Sequence, residues 1–293
     1  MHLLVTGGTG FIGNHLMEVL ANQHDITAVV REPNHRLRAD IAKVVGDLGD
    51  ASLYDRLPGN VDAVVHLAQA NVSMPDGLAT LFDVNTRSTV YLCAYAKRIG
   101  AARFVYASTG SVYRSAQGPY CEADATDPSS PYAATKCFSE RWLINELPKN
   151  SLSILRLFAP YGPGQRGRMI PQIIRRVREA VPVEIVNGGS PRTNPIFISD
   201  VVQVISECIT NGGCGILNLA GPEVVTTEQI ANFAADSLGR KALFERTVRQ
   251  NANDLIANTH LLSQRFPKHE FVSPQVGLRA TVEWAMKTEC LAD

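Results

Sequence analysis

The sequence carries no excess of either charge. Its 293 residues include 28 Lys and Arg against 28 Asp and Glu, so no global field draws it to nucleic acid or to an anionic membrane surface. It also lacks a cysteine pattern. Cys93, Cys121, Cys137, Cys208, Cys214 and Cys290 form no C-x-x-C and no set with His at zinc spacing, which argues against a metal site. Scattered thiols of this kind suit a reducing compartment. No apolar run is long enough to span a bilayer, and strand-like residues begin at His2 without a signal-peptide pattern. The expectation is a cytoplasmic globular protein that binds neither membrane nor nucleic acid. Hydrophobic residues at 45% and charged residues at 19% are ordinary for a soluble enzyme. A chain of this length can bury a large core, as one α/β domain or one domain with a smaller lobe.

What is present is alternation. HLLVT (2–6), ITAVV (26–30), AKVVG (42–46), DAVVHLA (62–68) and RFVYAS (103–108) read as buried strands. Between them, FIGNHLMEVLANQ and TLFDVNTRSTVYLCAYAKRIG place apolar residues at helical spacing. Strands alternating with helices predict a Rossmann-type, doubly wound parallel sheet with helices on both faces. Ligands in such sheets bind beyond the carboxyl ends of the strands. After about residue 160 the texture changes: YGPGQRG breaks the pattern, a basic helix-like stretch (MIPQIIRRVREA) follows, and NGGSPRTNP comes next. The expected division is a dinucleotide-binding domain over 1–160 and a substrate-binding lobe over 161–293, interleaved with the last Rossmann elements.

TGGTGFIG (6–13) lies between the first strand and the first helix, the context that marks a nucleotide loop. Glycines there let the backbone turn tightly and approach a pyrophosphate, whose charge meets the helix N-terminus at Phe11 and Ile12. Two fingerprints overlap: Gly8, Gly10 and Gly13 spell G-x-G-x-x-G, while Gly7, Gly10 and Gly13 spell G-x-x-G-x-x-G. Spacing alone does not choose between them. An NAD site usually places an acid at the end of the second strand to bind the ribose hydroxyls. Here that strand ends in Arg31, then Glu32, with His35, Arg36 and Arg38 close behind. A guanidinium at this point suits a 2′-phosphate, so NADP(H) is favoured; Glu32 keeps NAD(H) open.

SPYAATKCFSE (130–140) sets Tyr132 and Lys136 four apart on a helix-like run, one above the other. A tyrosine hydroxyl, with a pKa near 10, is a poor acid-base at neutral pH. A neighbouring ammonium favours its phenolate. Moving a hydride to or from a carbinol carbon also moves the hydroxyl proton, and this pairing serves that step. Y-x-x-x-K alone is a weak signal. It strengthens because RFVYASTGSVY ends a strand upstream and offers the hydroxyls of Ser108, Thr109 and Ser111 to the reacting oxygen.

With these motifs the chain resembles the extended short-chain dehydrogenase/reductase family of nucleotide-sugar epimerases, dehydratases and reductases. The resemblance runs nearly end to end, through TGGTGFIG, GDL (46–48), DAVVHLA, FVYASTGSVY, PYAATKCFSE, LRLFAPYGPGQ (155–165) and GLRATVEW (277–284). It implies the Gly7, Gly10, Gly13 reading of the loop. It further implies that Asp47 and Leu48 line the adenine and that Leu67 and Ala68 line the cofactor ribose. Thr109 matches the catalytic Ser/Thr, Tyr132 the base, and Lys136 the partner that also holds the nicotinamide ribose. Family dehydratases follow the catalytic Thr with an Asp-Glu pair; Gly110 and Ser111 stand here instead, so dehydration is not expected. Ala159 replaces the Asn of N-x-Y-G-P, and Arg192, one residue displaced, is the candidate for a substrate diphosphate.

The expected function is reduction of a 4-keto nucleotide sugar by NADPH, with an NAD-dependent nucleotide-sugar 4-epimerase as the alternative. A reductase of non-nucleotide carbonyls and a non-catalytic NADP-binding relative are the remaining readings. The resemblance also implies a homodimer built from the helices at 80–99 and 132–147, which carry Tyr91, Leu92, Tyr95, Phe138, Trp142 and Leu143.

Overall fold

The structure is a computed structural model and describes residues 1–33, 37–70, 77–113, 118–189, 191–249 and 254–288. His35, Arg36 and Cys290 lie outside the described residues. The chain divides into two compact units, Met1–Arg114 with Ala125–Arg156 and Val202–Leu217, and Ser115–Asp124 with Leu157–Val201 and Asn218–Asp293.

The first unit is built by the Val-rich runs. β1 (His2–Thr6), β2 (Asp25–Val30), β3 (Ala42–Val45), β4 (Ala63–His66) and β5 (Arg103–Thr109) pair in parallel, β2 and β4 flanking β1. The seven-stranded sheet runs β3-β2-β1-β4-β5-β6-β8, where β6 is Leu152–Leu157 and β8 is Gly215–Leu219. Leu3, Leu4, Val5, Val64 and Val65 are fully buried. Burial of each such side chain contributes about 1.5–3 kcal/mol, and burial on both faces explains why these strands are apolar without alternation. The strand order reverses between β1 and β4, whose last residues, Thr6 and His66, lie side by side. This switch point opens the crevice in which doubly wound sheets bind ligands.

α1 (Phe11–Leu20) follows β1 and buries Gly13, Leu16, Met17 and Leu20. The single helix expected over 80–100 is instead interrupted. α2 (Leu78–Phe82) passes into a π-turn at Asp83–Arg87, and α3 (Ser88–Ile99) resumes the helix, ending on Gly100 in the left-handed conformation. The cause is Asn85, a polar side chain in a buried place: its carboxamide leaves the helix to bond the backbone of Ala70. Its carbonyl accepts from Thr89 and Ser139 hydroxyls at 3.0 and 2.7 Å. π-turns of this kind concentrate at functional sites. α4 (Pro131–Glu146) starts with Pro131 in its first turn and Ser130 capping the Ala133 N–H at 3.2 Å.

In the second unit, α5 (Met169–Arg178) buries Ile170, Ile173, Ile174 and Val177, and carries arginines in its last turn. β7 (Val183–Val186) pairs in parallel with β9 (Phe244–Thr247), beyond α6 (Ile198–Asn211) and α7 (Thr227–Leu238) in the chain. α7 opens on a capping box formed by Thr226 and Gln229. α8 (His260–Arg265) and α9 (Pro274–Thr288) close the chain, and Leu278 and Val282 of α9 join the buried cluster of α5, α7 and β7. No helix among the described residues is long and apolar enough to cross a membrane.

Candidate active site

The glycine loop follows β1 and chooses between the two fingerprints. Gly7 has φ +73°, and a Cβ on it would lie 2.6 Å from the Ala68 nitrogen. A Cβ on Gly13 would press into the backbone of Gly7 and Gly8. A Cβ on Gly8 would meet only the flexible Met17 side chain, at 3.4 Å. The structure therefore requires Gly7 and Gly13 and leaves Gly8 free of close approach, which is the G-x-x-G-x-x-G reading. Gly10 caps α1 with no side-chain hydrogen bond, so the helix presents its first N–H groups, with their partial positive charge, to an anion. Gly7→Ala and Gly13→Ala are expected to weaken dinucleotide binding by about tenfold or more, while Gly8→Ala stays near the parent; nucleotide titration followed by fluorescence checks the difference.

The loop after β4 faces the same crevice. The Ala68 N–H donates to Thr6 Oγ1 at 3.3 Å, and Leu67 is buried beside it. After β3, Asp47 is exposed and its Oδ1 accepts from the Gly49 N–H at 2.7 Å; Leu48 is buried and its carbonyl accepts from Tyr54. Arg31 and Glu32 leave the end of β2 together, both exposed.

Thr109 ends β5, and its hydroxyl accepts from the Ser111 N–H at 3.2 Å across the 3-10 turn Gly110–Val112. Ser111 is partly exposed there. Tyr132, in the first turn of α4, donates its hydroxyl to Gln69 Oε1 at 2.7 Å. Lys136, one turn on, is fully buried; its Nζ donates to the Ala107 carbonyl at 2.6 Å and lies 4.5 Å from the centre of the Tyr106 ring. Burial pushes the Lys136 ammonium down to about 7, against the pull of the Glu140 carboxylate. This cation is tuned by its surroundings rather than left in water.

Two expected substrate contacts are engaged elsewhere. Ser108 is buried and donates to Glu140 Oε1 on α4, where it braces the end of β5. Arg192, in the second unit, bonds Asp254 Oδ2 through Nε and Nη2 at 2.8 and 2.7 Å, while still half exposed.

Sequence reasoning missed Asn85, Gln69, Glu140 and His66. Only Asn85 left a local signal, a carboxamide on the apolar stripe of DVNTRSTVYL. His66 is fully buried between Thr6 Oγ1 at 2.7 Å, Thr89 Oγ1 at 3.1 Å and Ser88 Oγ at 3.2 Å. Burial first, and the Lys136 charge second, push its imidazole down to about 3. It stays neutral, held in a network of buried hydroxyls.

A switch-point glycine cradle, an uncapped helix N-terminus and a Tyr-Lys pair define an NAD-binding oxidoreductase of the Rossmann type. The chain belongs to the NAD dependent epimerase/dehydratase family, whose profile matches residues 3–220. Among curated relatives it is 27% identical to dTDP-4-dehydro-6-deoxyglucose reductase of Escherichia coli, over 87% of this chain and 88% of that one. It is 26% identical to UDP-glucuronate 4-epimerase of Thermodesulfobacterium geofontis, over 97% and 96%. Among solved structures it resembles MoeE5 in complex with UDP-glucose and NAD, with TM-score 0.84 and 28% identity over 99% of this chain and 100% of that one. MoeE5 is also known with UDP-glucuronic acid and NAD.

These findings overturn the expected preference for NADP(H): the family and its structural relatives use NAD. The physical reason lies at the end of β2. Arg31 and Glu32 are both exposed there, so a carboxylate that can accept the ribose hydroxyls stands beside the guanidinium. The sign of one residue does not set the sign of the site.

Proposed function

We propose that this protein is an NAD-dependent epimerase of nucleotide-linked hexoses that inverts sugar C4. The observation that carries the reading is the turn after Thr109. Gly110 and Ser111 supply no carboxylate there, and the turn is closed on Thr109 Oγ1, so the acid-base pair needed to expel water from the sugar is missing. What remains is the equipment for moving a hydride and one proton. The names of the relatives support the substrate class, since UDP-glucose, UDP-glucuronic acid and NAD all occur in MoeE5 and the Thermodesulfobacterium relative is a 4-epimerase. NAD also favours an epimerase over a reductase. An epimerase regains the hydride it removes, whereas a reductase must be resupplied with reduced cofactor.

When bound, NAD would supply the hydride acceptor and donor for sugar C4. Tyr132 accepts the proton of the C4 hydroxyl and returns it to the same oxygen when C4 regains its hydride on the opposite face. Thr109 orients the C4 oxygen, with Ser111 beside it. Lys136 favours the phenolate by its charge and holds the nicotinamide ribose. Gly7, Gly10 and Gly13, with Phe11 and Ile12, receive the pyrophosphate; Asp47 and Leu48 receive the adenine, and Leu67 and Ala68 the ribose. The second unit is proposed as the substrate lobe, in which Arg192, held by Asp254, is the candidate for a substrate diphosphate. The test is to denature the purified protein, identify the nucleotide released, and incubate the intact protein with UDP-glucose or UDP-glucuronic acid without added cofactor. Retained NAD and a 4-epimer in the proton NMR spectrum are expected. Stoichiometric oxidation of NADH by a 4-keto sugar, with no epimer formed, would overturn the reading in favour of a reductase.

The protein is proposed to act as a homodimer through α3 and α4. Leu92, Tyr95 and Leu143, expected at that interface, are instead core residues of the first unit. Phe138 and Trp142 are not: they are 48% and 37% exposed and stack with ring centres 6.1 Å apart. Trp142 also borders a groove of about 420 Å³ lined by Val90, Cys93, Ala94, Lys97 and Arg98 of α3 and by Glu146 of α4. Exposed stacked aromatics beside such a groove are what a two-fold contact buries. Trp142→Arg is expected to give a monomer in sedimentation velocity at micromolar concentration, with unchanged circular dichroism.

A further inference from the structure

A closed circuit of hydrogen bonds within the first unit holds Tyr132 at both ends. Its hydroxyl donates to Gln69 Oε1 at 2.7 Å. The next residue, Ala70, has its N–H and its carbonyl both bonded by the buried Asn85 carboxamide, at 2.8 and 3.2 Å. Asn85 Nδ2 also donates to Thr135 Oγ1 at 3.2 Å, and Thr135 Oγ1 donates to the Tyr132 carbonyl at 2.7 Å. The π-turn that carries Asn85 is thereby explained: a regular helix would not deliver one carboxamide to both a neighbouring loop and α4. Gln69 is exposed, but it stands on backbone pinned by its neighbour. Its side chain is an aimed arm, not a loose surface group.

A carboxamide is unusual as a partner for an acid-base, because it accepts at one end and donates at the other. A half-turn of its last torsion exchanges them at no cost in charge. We propose that Gln69 is a positioning residue for Tyr132, holding the phenol through Oε1 and, turned over, the phenolate through Nε2. The proposal rests on the reading of Tyr132 as the proton carrier of the reaction. As phenol, Tyr132 donates to Oε1, the arrangement seen. As phenolate it needs donors; Nε2 supplies one, and a lone pair remains for the sugar hydroxyl. The proton travels only between Tyr132 and the substrate oxygen, and Gln69 neither gains nor loses one.

The other titratable groups on elements packed against α4 stay the same when residue 69 changes. They are Lys136, Cys137, Glu140 and Arg141 on α4 itself, Arg103 and Tyr106 of β5, the Asp83–Arg87 ion pair of the π-turn, and Tyr91, Cys93, Tyr95, Arg98 and Lys97 of α3, the last bound to Glu146 at the far end. The test uses two variants of the same shape. Gln69→Met removes both donor and acceptor, and Gln69→Glu keeps the acceptor but sets a negative charge against the phenolate. The Tyr132 titration is read from phenolate absorbance of the full protein, with the Tyr132→Phe protein subtracted. Its midpoint is expected to rise in Gln69→Met, and to rise further, by about one unit or more, in Gln69→Glu. Turnover of Gln69→Glu at neutral pH should fall about tenfold and recover at higher pH, with KM unchanged. A titration unmoved in Gln69→Glu would overturn the proposal, since a merely structural role would lower turnover without shifting the midpoint. The titration needs no sugar nucleotide. A shifted midpoint in a protein without epimerase activity would therefore overturn the epimerase reading alone, and leave Gln69 in place.

Discussion

Tyr132→Phe is expected to lower turnover by about two orders of magnitude or more while NAD remains bound. Phenylalanine keeps the ring in the first turn of α4 and removes one oxygen, the atom bonded to Gln69 Oε1 at 2.7 Å. Among the described residues, the neighbouring polar groups are committed elsewhere. His66 is buried and held neutral far below its ordinary range. Glu140 is committed to Ser108 and Arg156, and Thr109 is occupied by the turn that follows it. Lys136 remains but donates to the Ala107 carbonyl, so it tunes rather than replaces the hydroxyl. The measurement is the rate of 4-epimer formation from UDP-glucose or UDP-glucuronic acid, beside the nucleotide content of the two proteins. Turnover near the parent's would remove Tyr132 from the chemistry. Loss of bound NAD in the variant would show that the hydroxyl acts in binding instead.

What could be read from the sequence was whatever depends on near neighbours. The strands appear as Val-rich runs because a parallel sheet buries both faces, and their observed limits differ from the reading mainly at the carboxyl ends. DAVVHLA leaves the ladder at His66, since Leu67 to Ala70 must turn to form the site. Tyr132 and Lys136 were legible because helical spacing alone brings them together. The features that escaped all depend on partners far along the chain. Gly7 and Gly8 are equivalent in spacing, and only the Ala68 backbone distinguishes them. The stretch 80–100 keeps helical apolar spacing apart from one carboxamide, and only the structure shows that Asn85 interrupts the helix to reach Ala70 and Thr135. Ser108 reads as a hydroxyl beside a catalytic threonine, but alternation along β5 turns it inward to Glu140. Arg31 was misread for the complementary reason. A strand end has several exposed side chains, and the sequence does not say which of them a cofactor meets.

Arg156→Met is expected to destabilise the protein by about 3–5 kcal/mol, because it strands a buried carboxylate. Arg156 and Glu140 are 3% and 2% exposed. The guanidinium grips the carboxylate with Nε at 3.1 Å from Oε1 and 3.2 Å from Oε2, and with Nη2 at 2.7 Å from Oε2. Its other face lies 4.6 Å from the centre of the Tyr113 ring, and Ser108 donates to the same carboxylate. The pair therefore ties β6 to α4 and to the end of β5, one residue before Thr109 and one helical turn beyond Lys136. Methionine fills a similar volume but offers no donor, so the Glu140 carboxyl group would be left in a dry site with only the Ser108 hydroxyl beside it. The converse, Glu140→Leu, strands the guanidinium and should cost a similar amount. The double variant, Arg156→Met with Glu140→Leu, removes both charges and is expected to recover most of the loss, since well-packed apolar replacements of a buried ion pair are often neutral. Guanidinium unfolding of the four proteins measures this coupling, and a loss in the double variant equal to the sum of the two single losses would mean the pair is not acting as one unit. The double variant also separates stability from chemistry. It should fold like the parent, yet turn over more slowly, because the Glu140 charge that opposes the loss of the Lys136 proton would be gone and Tyr132 would lose part of the cation beside it.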